Sequence, residues 1–257
     1  MQIKPEFARH FELIEAPLRS DRECSRVDII ILKYKLPDVE SRCMDNLIRH
    51  TDWPHKVTWY DARNQTANFS KLWNHLASES TCDYICVMDS DAYVSPNWLG
   101  KMMESFTEGF YCKESAVSTE YVYPDPVGVV VPITKNGGGH PIQGKEYTDK
   151  TPFLVYEEQV SGFFFLFRKE ILNDVGYFDE RFYLFGQDSE WMDRVHASRW
   201  NIVVRPDVYV AHDVSASIKK ARDENEFDYG IDGQVTQMVY DTIRNEKEQG
   251  VYKPPQY

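Results

Sequence analysis

Tyr84-Ile85-Cys86-Val87-Met88-Asp89-Ser90-Asp91 is the stretch on which the chain turns. A short run rich in apolar residues ends abruptly in two carboxylates separated by one serine, and its length and composition predict a buried strand. Side chains two apart on an extended chain point the same way. Asp89 and Asp91 therefore sit at the carboxyl end of a strand and face one point. Two ionised carboxylates that close repel each other unless a cation lies between them. Hard oxygen ligands suit Mg²⁺, Mn²⁺ or Ca²⁺. The carboxyl end of a central strand is also where open α/β sheets bind ligands. Two readings follow: a divalent metal that holds a diphosphate, or a plain turn, since Asp-Ser-Asp is ordinary turn chemistry and Ser95-Pro96-Asn97 follows. The pair alone leaves both open.

Upstream, Val27 to Leu32 is a nearly continuous β-branched apolar run, as expected of a strand covered on both faces. Val39 to His50 is helical, with Val39, Cys43 or Met44, and Leu47-Ile48 at helical spacing; Lys56 to Tyr60 is a second strand, stopped at Asp61. Phe69 to Ala77 is helical, with Leu72, Trp73 and Leu76 as its buried stripe. Strand, helix, strand, helix, strand is the signature of a parallel sheet with crossover helices. Downstream come a helix over Trp98 to Phe106 and a strand over Val127 to Val131. A glycine loop over Asn136 to Pro141 follows, then a strand over Gly162 to Phe167. An aromatic turn block runs from Gly176 to Phe182, and Phe185-Gly186-Gln187-Asp188-Ser189-Glu190 opens a helix that runs to about Ala197. Asn201 to Val204 and Val208 to Val210 read as two short strands around Arg205-Pro206-Asp207. Beyond Ile218 a helix near Val235 to Lys247 leads to a frayed end at Lys253-Pro254-Pro255.

Composition narrows the partners. The chain has 257 residues, 42% hydrophobic and 14% aromatic, enough for a large core. Its formal net charge of −12 argues against nucleic acid or an anionic membrane as the main partner, because both reward Lys and Arg. An acidic protein that binds an anionic ligand needs a bridging cation. No signal-peptide core and no membrane-spanning stretch is expected, which points to a cytoplasmic protein. The five cysteines form no Cys-x-x-Cys pair and read as reduced, mostly core residues; Asn64-Gln65-Thr66 and Asn68-Phe69-Ser70 match the glycosylation sequon by coincidence.

In this order the motifs resemble a known group, the GT-A fold glycosyltransferases near the inverting family 2. Five matches between about Val27 and Ser217 carry the resemblance: Ile30 to Lys35, Tyr60-Asp61, Met88-Asp89-Ser90-Asp91, Val127 to Pro132, and Val175 to Phe182 with Gln187-Asp188-Ser189-Glu190. The last is the most specific. The resemblance implies an α/β architecture, a Rossmann-like, mostly parallel sheet flanked by helices. A nucleotide-sugar-binding half (27–115) is fused to an acceptor half (116–217) in one domain over 1–217, and 218–257 forms a helical tail. It implies Mn²⁺ or Mg²⁺ on Asp89, Asp91 and His212, with Asp89 as an alternative ribose contact, and a UDP-sugar or related nucleotide-diphosphate sugar as donor. Tyr34 would stack on the base and Asp61 would accept from its ring N–H. Asp188 would be the general base of a single, inverting displacement, while also reading as a helix N-cap; Glu190 is a fallback or a surface acid. Lys71 offers a phosphate contact, and a solvated helix face accounts for it equally; Trp191 stacks on a sugar or packs its helix. The acceptor would be a glycan, a lipid-linked glycan or a protein. Gln187, where the family often has Glu, keeps a second class in view, an inactive sugar-nucleotide or glycan-binding module that serves a partner protein. A nucleotidyltransferase would need a glycine-rich loop after Leu32, and Lys33-Tyr34-Lys35 provides none.

Overall fold

The computed structural model describes residues 11–15, 26–33, 36–62, 68–107, 111–113, 120–122, 126–135, 140–156, 159–213, 219–220, 223 and 229–257. In chain order these form β1 (Phe11–Glu15), β2 (Val27–Lys33), α1 (Pro37–His50), β3 (His55–Asp61), α2 (Phe69–Glu79), β4 (Tyr84–Asp89), β5 (Ala92–Val94) and α3 (Trp98–Glu104). There follow β6 (Tyr111–Lys113), β7 (Glu120–Val122), β8 (Val127–Ile133), β9 (Phe153–Val155), β10 (Phe164–Arg168), α4 (Ile171–Val175), α5 (Gln187–His196), β11 (Asn201–His212) and α6 (Tyr229–Glu248). Tyr34, Cys24, the Asn64-Gln65-Thr66 sequon and most of the glycine loop lie outside the described residues.

The strands form one sheet in the order β1-β3-β2-β4-β10-β8-β11-β9-β6-β7, with β5 paired to β11. β3, β2 and β4 are parallel, the βαβ pattern expected from the first half. β10 runs antiparallel to both β4 and β8, and β11 runs parallel to β8. The carboxyl ends of β2, β3, β4, β8 and β11 therefore share one edge of the sheet, and that edge carries the site.

Alternation along β2 explains why the sheet is covered twice. Ile30 and Leu32 belong to a core with Trp73, Ile85, Val87, Phe165 and Trp191, while Ile29 and Ile31 belong to another with Cys43, Leu47, Cys86, Met88 and Trp98. α2 and α5 supply the first core, and α1 and α3 the second. Asp28 interrupts the apolar run and is 1% exposed. It is satisfied there by Thr58 Oγ1 at 2.7 Å and Lys56 Nζ at 2.8 Å, as a buried charge must be.

Several expectations are corrected. α1 buries Glu40, Cys43 and Leu47, whereas Ile48 is 64% exposed, one position off the stripe. The two short strands around Pro206 are one strand of 12 residues, with the register against β8 shifting between Arg205 and Tyr209, where Arg205 and Asp207 pair with each other at 2.8 Å. The helix in the tail is longer than expected, Tyr229–Glu248. Lys253-Pro254-Pro255 is not frayed. The Tyr177 N–H donates to Pro255 O at 2.8 Å, and the Tyr177 and Tyr257 rings lie 5.5 Å apart. The sequon residue Asn68 is the N-cap of α2: its side chain accepts from Lys71 N–H at 2.8 Å and donates to Glu180 O at 2.7 Å. Cys43, Cys82 and Cys86 are free and buried, as expected of core thiols.

Candidate active site

The site begins where β4 stops. Asp89 ends the strand, Ser90 and Asp91 turn, and β5 starts at Ala92. β5 then pairs with the end of β11, with His212 opposite Ala92, and Asp213 N–H donates to Asp91 O at 3.1 Å. Asn46 of α1 clamps β5 through both backbone groups of Val94, at 2.6 and 3.2 Å. The turn is thus fixed from three elements, and its two carboxylates meet an imidazole.

His212 Nε2 lies 3.2 Å from Asp91 Oδ1 and 3.5 Å from Asp89 Oδ2. One ligand atom from each residue falls within 4.8 Å of the others. The imidazole is 6% exposed, stacked on Phe163 at 4.5 Å and 9°, and neither ring nitrogen makes a well-formed hydrogen bond. Asp91 is 7% exposed, while Asp89 is 40% exposed and opens to the cleft. Burial would lower the His212 pKa, but its contacts with the two carboxylates outweigh this and lift it to about 9. Burial raises the Asp89 carboxyl; His212 pulls it back and Asp91 pushes it up, leaving it at about 6. Three buried or half-buried donors converging without good mutual hydrogen bonds fit a small divalent cation. Ligands about 2.1 Å from an octahedral ion lie about 3 Å apart, close to the spacing found. The two carboxylates are hard oxygen donors of the kind Mg²⁺ and Mn²⁺ take, and the imidazole nitrogen favours a transition ion such as Mn²⁺ over Mg²⁺.

The second corner is the start of α5. Asp188 is the second residue of the helix, and the N-cap is Gly186 with φ 91°, so the expected capping role of Asp188 is corrected. Its Oδ2 instead accepts from Gly162 N–H at 2.8 Å, which fixes the direction of the carboxylate. A Cβ on Gly162 would lie 2.4 Å from Asp188 Oδ2, so only glycine allows this approach. Gln187 is buried and donates to Leu184 O at 3.1 Å, so the residue that departs from the family pattern serves the loop before the helix. Glu190 is neither a surface acid nor an available base. It is 1% exposed, bound to Arg194 at 2.8 Å and to Tyr252 Oη at 2.9 Å. Trp191 is fully buried against Phe165, Phe167 and Phe178, with its indole N–H on Gly176 O at 3.0 Å, so it packs the helix.

A cleft of about 300 Å³ joins the corners, lined by Asp89 and His212 on one side and Gly162 and Asp188 on the other, with Phe69 and Trp73 between. Asp61 ends β3 at the same edge, opposite Lys33, with β2 between it and Asp89. Two inter-strand steps place it about 10 Å from Asp89. Lys71 is exposed on α2 and is not among the residues lining the cleft. Gly162 and Phe163 line the cleft, and Thr236 and Tyr240 of α6 touch the residues just before α5, neighbours that the motifs did not reveal. A glycine placed at the start of a phenylalanine-rich strand was the available sign of close backbone approach. The Gly176 to Phe182 block itself is structural: Asn74 clamps the Phe178 backbone at 2.8 and 2.9 Å, and Asp179 pairs with Arg181 at 2.7 Å.

Comparison with known proteins bears on the family and the fold. Residues 45–176, just over half of the chain, match the family model described as glycosyl transferase family 2. The O-antigen biosynthesis protein RfbC of Myxococcus xanthus is 25% identical over 245 residues, covering 82% of this chain but 19% of its own length. Among solved structures, GalNAc-T7 with UDP, GalNAc and Mn²⁺ superimposes with a TM-score of 0.54 at 13% identity, over 75% of this chain and 44% of that one. Residues 1–349 of S. aureus TarS superimpose with 0.54 at 12% identity, over 82% and 69%. At such identities the likeness shows the fold, GT-A. Among the described residues, no helix is long and apolar enough to cross a membrane.

Proposed function

The chain belongs to glycosyl transferase family 2, and from that premise we propose that it moves a sugar from a nucleotide-diphosphate sugar to an acceptor hydroxyl by one inverting displacement. The observation that carries this is one cleft with a cation-ready corner at one end and an oriented carboxylate at the other.

Asp89, Asp91 and His212 would hold Mn²⁺ or Mg²⁺. The chemistry supplied by that ion is neutralisation of the charge that develops on the departing diphosphate. A UDP-sugar is the donor proposed, since the superimposable GalNAc-T7 binds UDP with Mn²⁺. Asp61 and Tyr34, at or beyond the ends of β3 and β2, would take the base, and the exposed side of Asp89 would face the ribose or the metal. Asp188 accepts the acceptor hydroxyl's proton as that oxygen attacks the anomeric carbon, and the carbon–diphosphate bond breaks on the opposite face. The Gly162 N–H holds the carboxylate in line, so little reorientation is needed at the moment of transfer. A glycan, lipid-linked or protein acceptor would enter from the 140–162 side of the cleft.

The test is thermal unfolding with UDP, GDP, CDP and dTDP, each with and without Mn²⁺, followed by NMR of the anomeric product. A nucleotide bound only by the folded chain raises the midpoint. Stabilisation by one nucleotide only with metal, and an inverted product, support the proposal. No shift with any pair removes it and leaves a binding module as the better reading.

A further inference from the structure

We propose that a second groove beside the cleft holds an anionic stretch of the acceptor, so that the acceptor is a chain carrying phosphodiester or carboxylate groups. This rests on the transferase reading for its function, but not for its charge. The groove has a volume of about 810 Å³ and is lined by Lys101, Lys135, Lys145 and Lys150. Among the described residues that line it, the two carboxylates are Glu146 and Asp207, and Asp207 is neutralised by the buried Arg205, at 2.8 Å to each oxygen. Four ammonium groups gathered against one unneutralised acid are out of keeping with a chain of net charge −12. Local fields of this sign attract anions whatever the overall charge.

The groove has a built floor. Lys101 is anchored by donating to Asp207 O at 3.0 Å. Thr134 lines the groove, is 2% exposed, and has a buried hydroxyl with no hydrogen-bond partner among the described residues. A buried hydroxyl of this kind is costly unless something accepts from it or donates to it, and an anionic oxygen does the first. Tyr209, 41% exposed, adds an aromatic face of the sort that packs on sugar rings.

Position ties the groove to the transfer site. β8 delivers Ile133 to Lys135 at the same sheet edge as β4 delivers Asp89. β11 runs from Asp207 and Tyr209 in the groove to His212 at the metal corner, three residues or about 10 Å further on. Gln143, fully buried, joins the two walls: its side chain donates to Pro132 O at 3.0 Å and accepts from Ser161 N–H at 2.6 Å, and Ser161 lines the cleft. A chain whose terminal hydroxyl sits at Asp188 would have its next units within reach of the lysines.

The experiment uses the full chain in metal-free buffer and titrates three probes: a short linear polyphosphate, an oligogalacturonate and a neutral malto-oligosaccharide. The proposal expects both anionic probes to bind more tightly than the neutral one, and to weaken as salt rises. In Lys135→Gln/Lys145→Gln/Lys150→Gln their affinity should fall at least about tenfold, the cost of losing charge-assisted hydrogen bonds. The tighter anion assigns the acceptor's charge to phosphate or to carboxylate. Equal binding of all three probes, or unchanged anion binding in the triple variant, overturns the proposal. If the triple variant fails to fold, Lys145→Gln and Thr134→Val carry the same test. The UDP–Mn²⁺ midpoint shift is read in parallel on the metal corner. Its absence with anion binding intact removes the transferase reading and leaves the groove; the reverse removes the groove alone.

Discussion

The two ends of the cleft are rigid for different reasons. The corner proposed for the metal is sheet: β4 and β11 end where β5 begins, and Asp91 and His212 are fixed by strand register and by Asn46. The corner proposed for the base is a helix start held from outside. Gly162 grips Asp188 from the sheet, while α6 grips the residues before it: Tyr240 Oη donates to Gly186 O at 2.9 Å and Thr236 Oγ1 to Phe185 O at 3.3 Å. Further along, Arg194 and Tyr252 lock Glu190, and Arg181 reaches Glu246 at 2.9 Å. Both corners depend on partners distant in sequence, but the first is set by strand register between β5 and β11, and the second by side chains of α6 that arrive more than 50 residues later. The difference teaches that binding of donor and turnover of acceptor should be separable by substitution.

The strongest way to break that comparison is at the metal corner. Asp91→Asn removes a buried ligand charge, and nucleotide stabilisation by Mn²⁺ should vanish together with turnover, a loss of at least about 10³-fold. Calorimetric titration of Mn²⁺ with UDP measures it. Retention of metal-dependent nucleotide binding would show that the three residues are a hydrogen-bonded turn. Asp188→Asn is the counterpart. Asn keeps an oxygen for Gly162 N–H but accepts no proton, so kcat should fall by about 10³-fold while UDP–Mn²⁺ binding is unchanged. Loss of both would join the corners into one structural unit.

Gly162→Ala sharpens the same contrast. The added methyl would meet Asp188 Cβ and Oδ2 at 2.4 Å, so the carboxylate must move. Misplacement of this order should lower kcat by about 10²-fold. Overpacking should cost about 1–3 kcal/mol of stability. Donor binding, read by the midpoint shift with UDP–Mn²⁺, should survive. A variant that keeps full kcat would mean that Asp188 needs no support from the Phe163 side of the sheet.

How much of this was legible follows from the same physics. Short, nearly continuous apolar runs and the carboxylates that end them place β2, β3, β4 and the Asp89–Asp91 pair from sequence, because both signals are local. His212 was found through resemblance; its pairing with the turn depends on β5 meeting β11, which spacing does not give. Glu190 was misread because a helix-start acid is ordinarily solvated. Its burial comes from Arg194 one turn on and Tyr252 far downstream. The last residues looked frayed because Lys253-Pro254-Pro255 carries no periodicity, and they are anchored by contacts with Tyr177, a main-chain hydrogen bond from its N–H to Pro255 O and the ring pair with Tyr257. Gln187 seemed a catalytic departure and is a loop contact.

The smallest expected effect tests the tail alone. Tyr240→Phe removes only the hydroxyl that donates to Gly186 O, and leaves the ring against Phe182, 4.9 Å away. Gly186 holds φ 91° immediately before the helix that carries Asp188, and its Cα faces Thr236 of α6 as well. Losing one neutral hydrogen bond should cost about 1 kcal/mol of stability. If the tail merely covers the surface, that is the whole effect, and kcat stays constant. If α6 positions the base, some of the same energy is lost from the transition state, and kcat should fall by about fivefold with the KM for donor and the metal affinity unmoved. The split between kcat and donor KM separates these outcomes. A matching fall in donor binding would show that the tail steadies the whole edge of the sheet, and would erase the distinction between the two corners.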